Sequence, residues 1–460
     1  MFSSIKNVHF VGIGGIGMSG IAEILINKGF TVTGSDLSES DNVQYLRKIG
    51  AEIYIGHSSE NIKNADVITY SSAVSTSENP EIIEAKKRKI PIIRRAEMLA
   101  EVSRLNYCLA VAGTHGKTTT TSILALILIR AGIDPTVIVG GRLKDLGGTN
   151  ARLGNGDWTV VEADEYDRSF LQLFPAVAIL NNIEPDHLDI YGELKYLKEA
   201  FVQFANKVPF YGFIAAGIDC EGVRDILPLL NKKVITFATT RKEADYFADN
   251  ITYSGLQSSC DIYEYGKLLG KITINVPGEH NIKNALAAIA AARQLNVDFD
   301  IIADVVKEFH GVFRRFEIKG RLNGAIVVDD YAHHPTEIIS TLKGAKNYTS
   351  KRIVAVFQPH TYTRTESFYK EFAESFKYAD LVYVTDVYPA REKPIPGVTG
   401  ELIVKAANER GMDYVHYVEN KNDVPDIILK NMTSDDIIMT IGAGDIWKIG
   451  ETIIDKFNNK

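Results

Sequence analysis

Residues 107–130 read YCLAVAGTHGKTTTTSILALILIR, and the rest of the chain is best understood from this stretch outward. The apolar run from Tyr107 to Ala112 predicts a buried strand, and the run from Ile123 to Ile129 predicts a helix. Between them lies a turn bounded by Gly113 and Gly116 and ending in Lys117 and Thr118. Backbone N–H groups of Gly113, Thr114, His115, Gly116 and Lys117 are expected to turn inward around a phosphate at the positive end of that helix. Lys117 then meets the β/γ oxygens, the Thr118 hydroxyl holds Mg²⁺, and Thr119 completes the candidate loop. A strict G-x-x-x-x-G-K-[ST] loop has glycine at position 111; Val111 stands there, so the loop is a variant. ATP with magnesium is the expected ligand.

At 460 residues the chain is too long for one core, and its length suggests about three domains. A hydrophobic share of 45% and a charged share of 24% are those of a soluble globular protein. The net charge of −7 argues against a nucleic-acid or anionic-membrane partner. No apolar stretch approaches the roughly 20 residues of a spanning helix. The N-terminus lacks a signal-peptide pattern. Cys108, Cys220 and Cys260 are scattered without metal-ligand spacing, so a reducing, cytoplasmic setting is expected.

Residues 7–105 alternate strand candidates (Asn7–Val11, Thr31–Ser35, Ala51–Ile55, Val67–Tyr70, Ile90–Ile93) with helical stretches at Met18–Lys28, Asn42–Ile49 and Pro80–Lys89. That alternation predicts a doubly wound parallel sheet. A second α/β block starts at Asn106, with strands expected at Trp158–Glu162, Ala176–Asn181 and Phe210–Ala215, and becomes strand-rich over Tyr246–Val276. A third follows Arg314-Arg315-Phe316, with strands at Ala325–Asp329, Arg352–Phe357, Leu381–Thr385 and Asp436–Ile441. The expected architecture is α/β throughout: a Rossmann-like domain over 1–105, a P-loop-type ATPase domain over 106–315 and a second Rossmann-like domain over 316–460.

Gly12, Gly14, Gly15 and Gly17 lie in a G-x-G-x-x-G frame after a strand and before a helix, and Asp36 follows at the end of the next strand. The pattern predicts a pyrophosphate against the glycines and a ribose hydroxyl on the acid. A dinucleotide and a UDP-sugar both carry those groups. A separate triphosphate loop favours the second, with Ser71 and Ser72 as further candidates for contacting it. Glu162, Asp164, Glu165 and Asp167 cluster after one strand of the middle block, and Glu184, Asp186, His187 and Asp189 after another. Oxygen-rich clusters beside a phosphate loop suit Mg²⁺. Read on its own, His187 is more naturally a hydrogen-bond partner of these acids than a ligand.

The loop at Gly113–Thr118, Glu162, the Asn182–His187 run, His280 to Asn284 and Arg314-Arg315-Phe316, in that order, resemble the Mur ligases, the ATP-dependent amino-acid ligases of peptidoglycan synthesis. The resemblance covers essentially the whole chain. The opening from His9 to Gly20, the segment Asp329–Glu337 and the segment Gln358–Thr365 resemble the branch that attaches L-alanine to UDP-N-acetylmuramate. Those two molecules are then the expected substrates, and a monomer or homodimer is the expected state. The resemblance implies that Lys117 and Thr118 serve the triphosphate and its metal, and that Glu162 and His187 hold magnesium. It further implies that Asn281 and Asn284 contact the base, Arg315 approaches the phosphates and Asp330 takes the ATP ribose. Tyr331, His360 and Arg364 would receive the amino acid.

The implied chemistry is conversion of a carboxylate to an acyl phosphate, followed by attack of an amine. Lys117, Arg315 and magnesium would neutralise the transferring phosphoryl group. His360 is a candidate base by residue type, and a structural hydrogen bond is the alternative. His333 and His334 precede Pro335 and are expected to cap the helix that contains Glu337. Two departures stand out: Thr361 replaces an arginine common after the motif histidine, and no lysine suits the modified position that supports a second metal elsewhere in the family. The competing readings are a ligase that attaches a whole tripeptide, an NAD-dependent oxidoreductase and an ATP-driven switch.

Overall fold

Long apolar runs become the middle strands of three sheets, as expected where parallel strands are covered on both faces. The computed structural model describes residues 5–71, 73–141, 143, 148–255, 257–348, 350–390 and 392–459. The first sheet holds β1 (Asn7–Val11), β2 (Thr31–Asp36), β3 (Glu52–Ile55), β4 (Val67–Tyr70) and β5 (Ile92–Arg94) in the order β3-β2-β1-β4-β5, all parallel. Chain order reverses between β1 and β4, and the carboxyl ends of those strands flank the crevice where ligands of such sheets sit.

The second sheet takes β6 (Tyr107–Ala112), β7 (Thr136–Ile138), β8 (Ala151–Arg152), β9 (Trp158–Ala163), β10 (Val177–Leu180), β11 (Phe213–Gly217) and β12 (Val234–Ala238), followed by β13 (Tyr246–Ser254), β14 (Gln257–Glu264) and β15 (Lys267–Ile274). Their order is β15-β14-β13-β12-β11-β10-β6-β9-β7-β8. β6 therefore lies between β9 and β10, parallel to both. The loops after β6, β9 and β10 leave the same end of the sheet.

The third sheet runs β16 (Glu317–Leu322), β17 (Ala325–Asp330), β21 (Asp436–Ile441), β18 (Arg352–Phe357), β19 (Leu381–Thr385), β20 (Val415–Val418). Among the described residues of this sheet only the edge strand β16 is antiparallel to its neighbour. The chain divides into two compact units. Met1–Asp249, Asp261–Ile272 and Lys283–Glu308 make the first, and Asn250–Cys260, Thr273–Ile282 and Phe309–Lys460 the second.

The middle strands Asn7–Val11, Val67–Tyr70, Arg352–Phe357, Leu381–Thr385 and Asp436–Ile441 fall where expected. Two of the boundaries that differ, and one additional helix, have identifiable reasons. The helix expected over Ile123–Ile129 begins at Lys117, because the hydroxyls of Thr121 and Ser122 donate to the carbonyls of Lys117 and Thr118 and absorb the low helix preference of that polar run. Its Ile123, Leu124, Ile127 and Leu128 are fully buried, each contributing about 1.5–3 kcal/mol. The strand expected from Phe210 starts at Phe213, since Phe210 is 95% exposed and sits in a turn before it. The helix Arg95–Ser103, whose N-cap Arg94 and first residue Arg95 are both charged, is an element that apolar periodicity does not announce. Among the described residues no helix is long and apolar enough to cross a membrane.

Candidate active site

The turn after β6 is shaped from below by the end of β10. Gly113 has φ +146°, and a Cβ there would lie 3.0 Å from the Asn181 Cβ and 3.1 Å from the Asn182 nitrogen. The Thr114 N–H donates to the Asn182 carbonyl at 3.2 Å and the His115 N–H to Asn182 Oδ1 at 2.7 Å. Asn182 Nδ2 returns a bond to the His115 carbonyl at 3.2 Å. The Thr114 hydroxyl accepts from the Glu184 N–H at 2.9 Å and donates to its carbonyl at 3.3 Å. This corrects the expectation that every amide from Gly113 to Lys117 turns inward: those of Thr114 and His115 are committed to Asn182. The amides that open the helix stand differently. Gly116, at φ +80°, is its N-cap without a side-chain cap, and the Thr120 N–H already bonds back to the Gly116 carbonyl. Lys117, Thr118 and Thr119 are thus left without intrahelical acceptors at the positive end of a 14-residue helix.

Lys117 itself points into carboxylates. Its ammonium donates to Glu165 at 2.7 and 3.0 Å and to the Gly113 carbonyl at 2.7 Å. Burial alone would lower the lysine, but the negative charges of Glu165, Asp164 and Glu162 outweigh it and hold the ammonium above its usual range. Burial raises the Glu165 and Glu162 carboxyls despite that lysine. Glu162 accepts from the Gly140 N–H at 2.8 Å and from the Thr118 hydroxyl. His187, in a left-handed backbone conformation at φ +54°, lies 3.8 Å from Glu165 and 3.7 Å from Asp186, its ring edge-on to Tyr166. The first unit therefore brings Gly113, Thr114, His115, Gly116, Lys117, Thr118, Thr119, Glu162 and His187 to one end of one sheet. It also brings Asn284, whose Oδ1 would be 2.2 Å from a Cβ on Gly116.

At the switch point of the first sheet, Gly12 (φ +81°) leaves 3.2 Å between its absent Cβ and the Ser71 Cβ at the end of β4. Asp36 accepts from the Gly14 N–H at 2.9 Å and from the Ser38 N–H at 3.3 Å. The acid predicted to meet a ribose therefore also pins the glycine turn. A Cβ on Gly17 would come within 2.7 Å of an Arg95 guanidinium nitrogen, and Gly15 caps the Ile16–Asn27 helix. Ser72 lies outside the described residues.

In the second unit, Arg314 (φ +62°) and Phe316 (φ +47°) bend the chain around Arg315. Arg315 reaches Glu337 at 3.6 Å and stacks on Tyr331 at 5.4 Å. Asp330 accepts from the Phe316 and Ala332 N–H groups, each at 2.8 Å, so both its oxygens brace this bend; burial pushes its carboxyl up to about 6. The capping expected of His333 and His334 runs the other way, their N–H groups donating to Glu337 at 2.9 and 3.3 Å. His360 stacks on Tyr388 at 5.7 Å and meets the edge of His333 at 5.9 Å, and His333 in turn meets Tyr331. Burial, reinforced by Arg364, pushes His360 down to about 4, so the imidazole is held neutral. Asn281 donates to the Pro277 carbonyl at 2.7 Å within the second unit.

Residues 7–107 match the model described as Mur ligase family, catalytic domain; residues 111–292 match the Mur ligase middle domain, and residues 314–444 the Mur ligase, glutamate ligase domain. The chain belongs to the Mur ligase family. It is 49% identical to a UDP-N-acetylmuramate–L-alanine ligase of Geotalea uraniireducens, over 99% of both chains. It is 48% identical to the enzyme of the same name from Salinibacter ruber, over 99% of this chain and 96% of that one. Among solved structures, a UDP-N-acetylmuramate–alanine ligase from Thermotoga maritima superposes with a TM-score of 0.84 at 31% identity, covering 99% of each chain. A murein peptide ligase from Psychrobacter arcticus gives 0.72 at 26%, again over 99% of each.

Within this Mur ligase, the donor set around Lys117 fits a hard divalent cation. A buried carboxylate (Glu165) and a half-buried one (Glu162), both raised by desolvation, and a threonine hydroxyl surround a single ammonium, so oxygen ligands are present in excess of positive charge. Sequence reading missed Glu165 as the partner of Lys117, and Asn181 and Asn182 as the scaffold of the loop. Tyr388 carried no signal, being 28 residues from His360 and joined to it by a ring stack and a bridge outside the regular strands.

Proposed function

We propose that this chain is an ATP-dependent ligase that joins L-alanine to the lactoyl carboxylate of UDP-N-acetylmuramate, yielding UDP-N-acetylmuramoyl-L-alanine, ADP and phosphate for peptidoglycan. The observation that carries the reading is a triphosphate-type loop on the middle strand of a Mur ligase whose full-length relatives are alanine-adding enzymes. The division of labour follows residues 1–105 for the UDP-substrate, 106–315 for ATP and 316–460 for the amino acid. Three cysteines scattered along the chain without metal-ligand spacing support a reducing, cytoplasmic setting.

A carboxylate resists amine attack because the oxide it would expel is strongly basic. Phosphorylation by ATP replaces that group with phosphate, a good leaving group. Such a transfer asks the protein for position and countercharge. Lys117 and the opening amides of its helix supply both to the polyphosphate, and Arg315 supplies charge to the γ-phosphoryl group. Thr118, Glu162 and His187 would hold Mg²⁺, which when bound shields the phosphate oxygens from the attacking carboxylate. The amine of L-alanine then adds to the acyl carbon, and phosphate leaves from the tetrahedral intermediate. Tyr331, His360 and Arg364 are the proposed contacts of that amino acid.

Phosphate release from ATP with UDP-N-acetylmuramate, scanned across amino acids and a stem tripeptide, tests the reading. Release driven by L-alanine supports it. Release driven by the tripeptide alone moves the chain to the peptide-recycling branch, and release with neither overturns it.

A further inference from the structure

Glu81, the second residue of the helix Pro80–Arg88, is a fully buried acid. Burying an ionised carboxylate is costly, and a helix that only had to pack on the sheet would carry an apolar side chain there. Burial alone would raise this carboxyl, but the His9 ring and the bonds from Ser35 and Asn61 outweigh it and hold the group below its usual range. Its own N–H donates to Asn79 Oδ1 at 2.9 Å, so the acid is fixed at the backbone as well. What the charge holds lies at the carboxyl end of the first sheet.

Glu81 Oε2 accepts from the Ser35 hydroxyl at 2.6 Å. That hydroxyl has one proton, so toward His57 Nδ1, 2.9 Å away, it accepts and the imidazole donates. His57 Nδ1 also lies 3.3 Å from Oε2, and His9 Nε2 lies 3.8 Å from it. Ser35 offers its carbonyl to the N–H groups of Gly12 at 2.8 Å and Ile13 at 3.0 Å, where the glycine turn begins. Glu81 Oε1 accepts from Asn61 Nδ2 at 2.6 Å. The same Nδ2 reaches the Gly56 carbonyl at 3.1 Å, and the Gly56 N–H donates to the Asp36 carbonyl at 2.8 Å. Ser35 and Asp36 are thus both tied to one carboxylate, the first through its hydroxyl and the second through Asn61 and Gly56. The Asp36 side chain closes the circuit on the Gly14 N–H.

We propose that Glu81 is a positioning residue of the UDP site, its carboxylate fixing the Gly12–Gly15 turn and Asp36 in the placement that receives pyrophosphate and ribose. Enclosed on all sides, it acts through Ser35 and Asn61 and not on the ligand. A turn fixed before the ligand arrives loses little freedom on binding, so the charge is felt as affinity. The assignment rests on the UDP-substrate reading above.

The test compares the wild-type enzyme with Glu81→Gln, which keeps size but turns one acceptor into a donor, and with Ser35→Ala, which removes the hydroxyl and keeps the carbonyl. In each variant the Kd of UDP, read by calorimetry, and the KM for UDP-N-acetylmuramate are expected to rise together by about tenfold. At saturating substrate kcat should stay within twofold, as should the KM for ATP and for L-alanine. The double variant should lose clearly less than the product of the two single losses, since both cut the same link. Unchanged UDP affinity in Glu81→Gln, ATP affinity falling by the same factor, or strict additivity in the double variant overturns the assignment. Should Glu81→Gln fail to fold, Ser35→Ala decides alone, and unchanged UDP affinity there overturns it. A wild-type enzyme that binds neither UDP nor UDP-N-acetylmuramate overturns the substrate reading and the assignment with it. A binding wild type beside unaffected variants removes the assignment alone.

Discussion

Lys117 and Glu165 form an ion pair at 2.7 Å across 48 residues of sequence, with the glutamate side chain 1% exposed. Removing the lysine alone strands a carboxylate that burial already disfavours. Lys117→Ala is expected to abolish ligation and to destabilise the fold by about 3–5 kcal/mol. The double variant Lys117→Ala/Glu165→Ala should be clearly less destabilised than the sum of the two single changes, as read by urea denaturation. Strict additivity would mean the pair has no energetic coupling.

Gly116 sits at φ +80° with the Asn284 amide 2.2 Å from the position of an added Cβ. Gly116→Ala therefore strains the backbone by about 1–2 kcal/mol and displaces Asn284. ATP affinity measured by calorimetry should fall at least tenfold, while affinity for UDP-N-acetylmuramate is retained. Unchanged ATP binding would separate this turn from the nucleotide.

Arg315 is held by Glu337 and the Tyr331 face, an arrangement that orients the guanidinium. Arg315→Ala is expected to lower kcat by about 10² or more and to leave the KM for UDP-N-acetylmuramate within a fewfold. Equal losses in the two parameters would assign the arginine to substrate binding instead.

His360 is pushed down to about 4 from an ordinary 6.5. Between those values the unfolded chain binds a proton that the native chain refuses, so the native state loses stability as pH falls from 6.5 toward 4, by up to about 3 kcal/mol. Asp330, raised to about 6, acts with the opposite sign over much of the same window: its contribution is lost as pH rises through 6. Replacing the histidine isolates its share. His360→Gln should show a shallower acid-side decline in urea-denaturation stability than the wild type; parallel curves from pH 4.5 to 6.5 would contradict the burial of a neutral imidazole.

Buried parallel strands were legible because they read as unbroken apolar runs, as Asp436–Ile441 and Arg352–Phe357 do. β16, with Lys319 and Arg321 inside it, lacks that signature. Glycines with a motif spacing could be placed on turns, and their positive φ values at 12, 113 and 116 follow from the close neighbours they face. What sequence could not supply was pairing at a distance. Nothing local marks Glu165 rather than Asp164 as the acid beside Lys117, or Tyr388 as the platform of His360. Roles borrowed from resemblance also hid second duties, such as the carboxylate of Asp330 bracing the amides of Phe316 and Ala332.

The Asn182 side chain grips the phosphate turn on both sides of His115, and the Thr114 hydroxyl grips the main chain at Glu184. A turn clamped in this way is already rigid before any nucleotide arrives. Little conformational freedom is then lost on docking, and more of the attraction between polyphosphate and protein remains for straining the reactants toward product. Softening that clamp, as Asn182→Ala would, should therefore lower kcat through the shape of the turn.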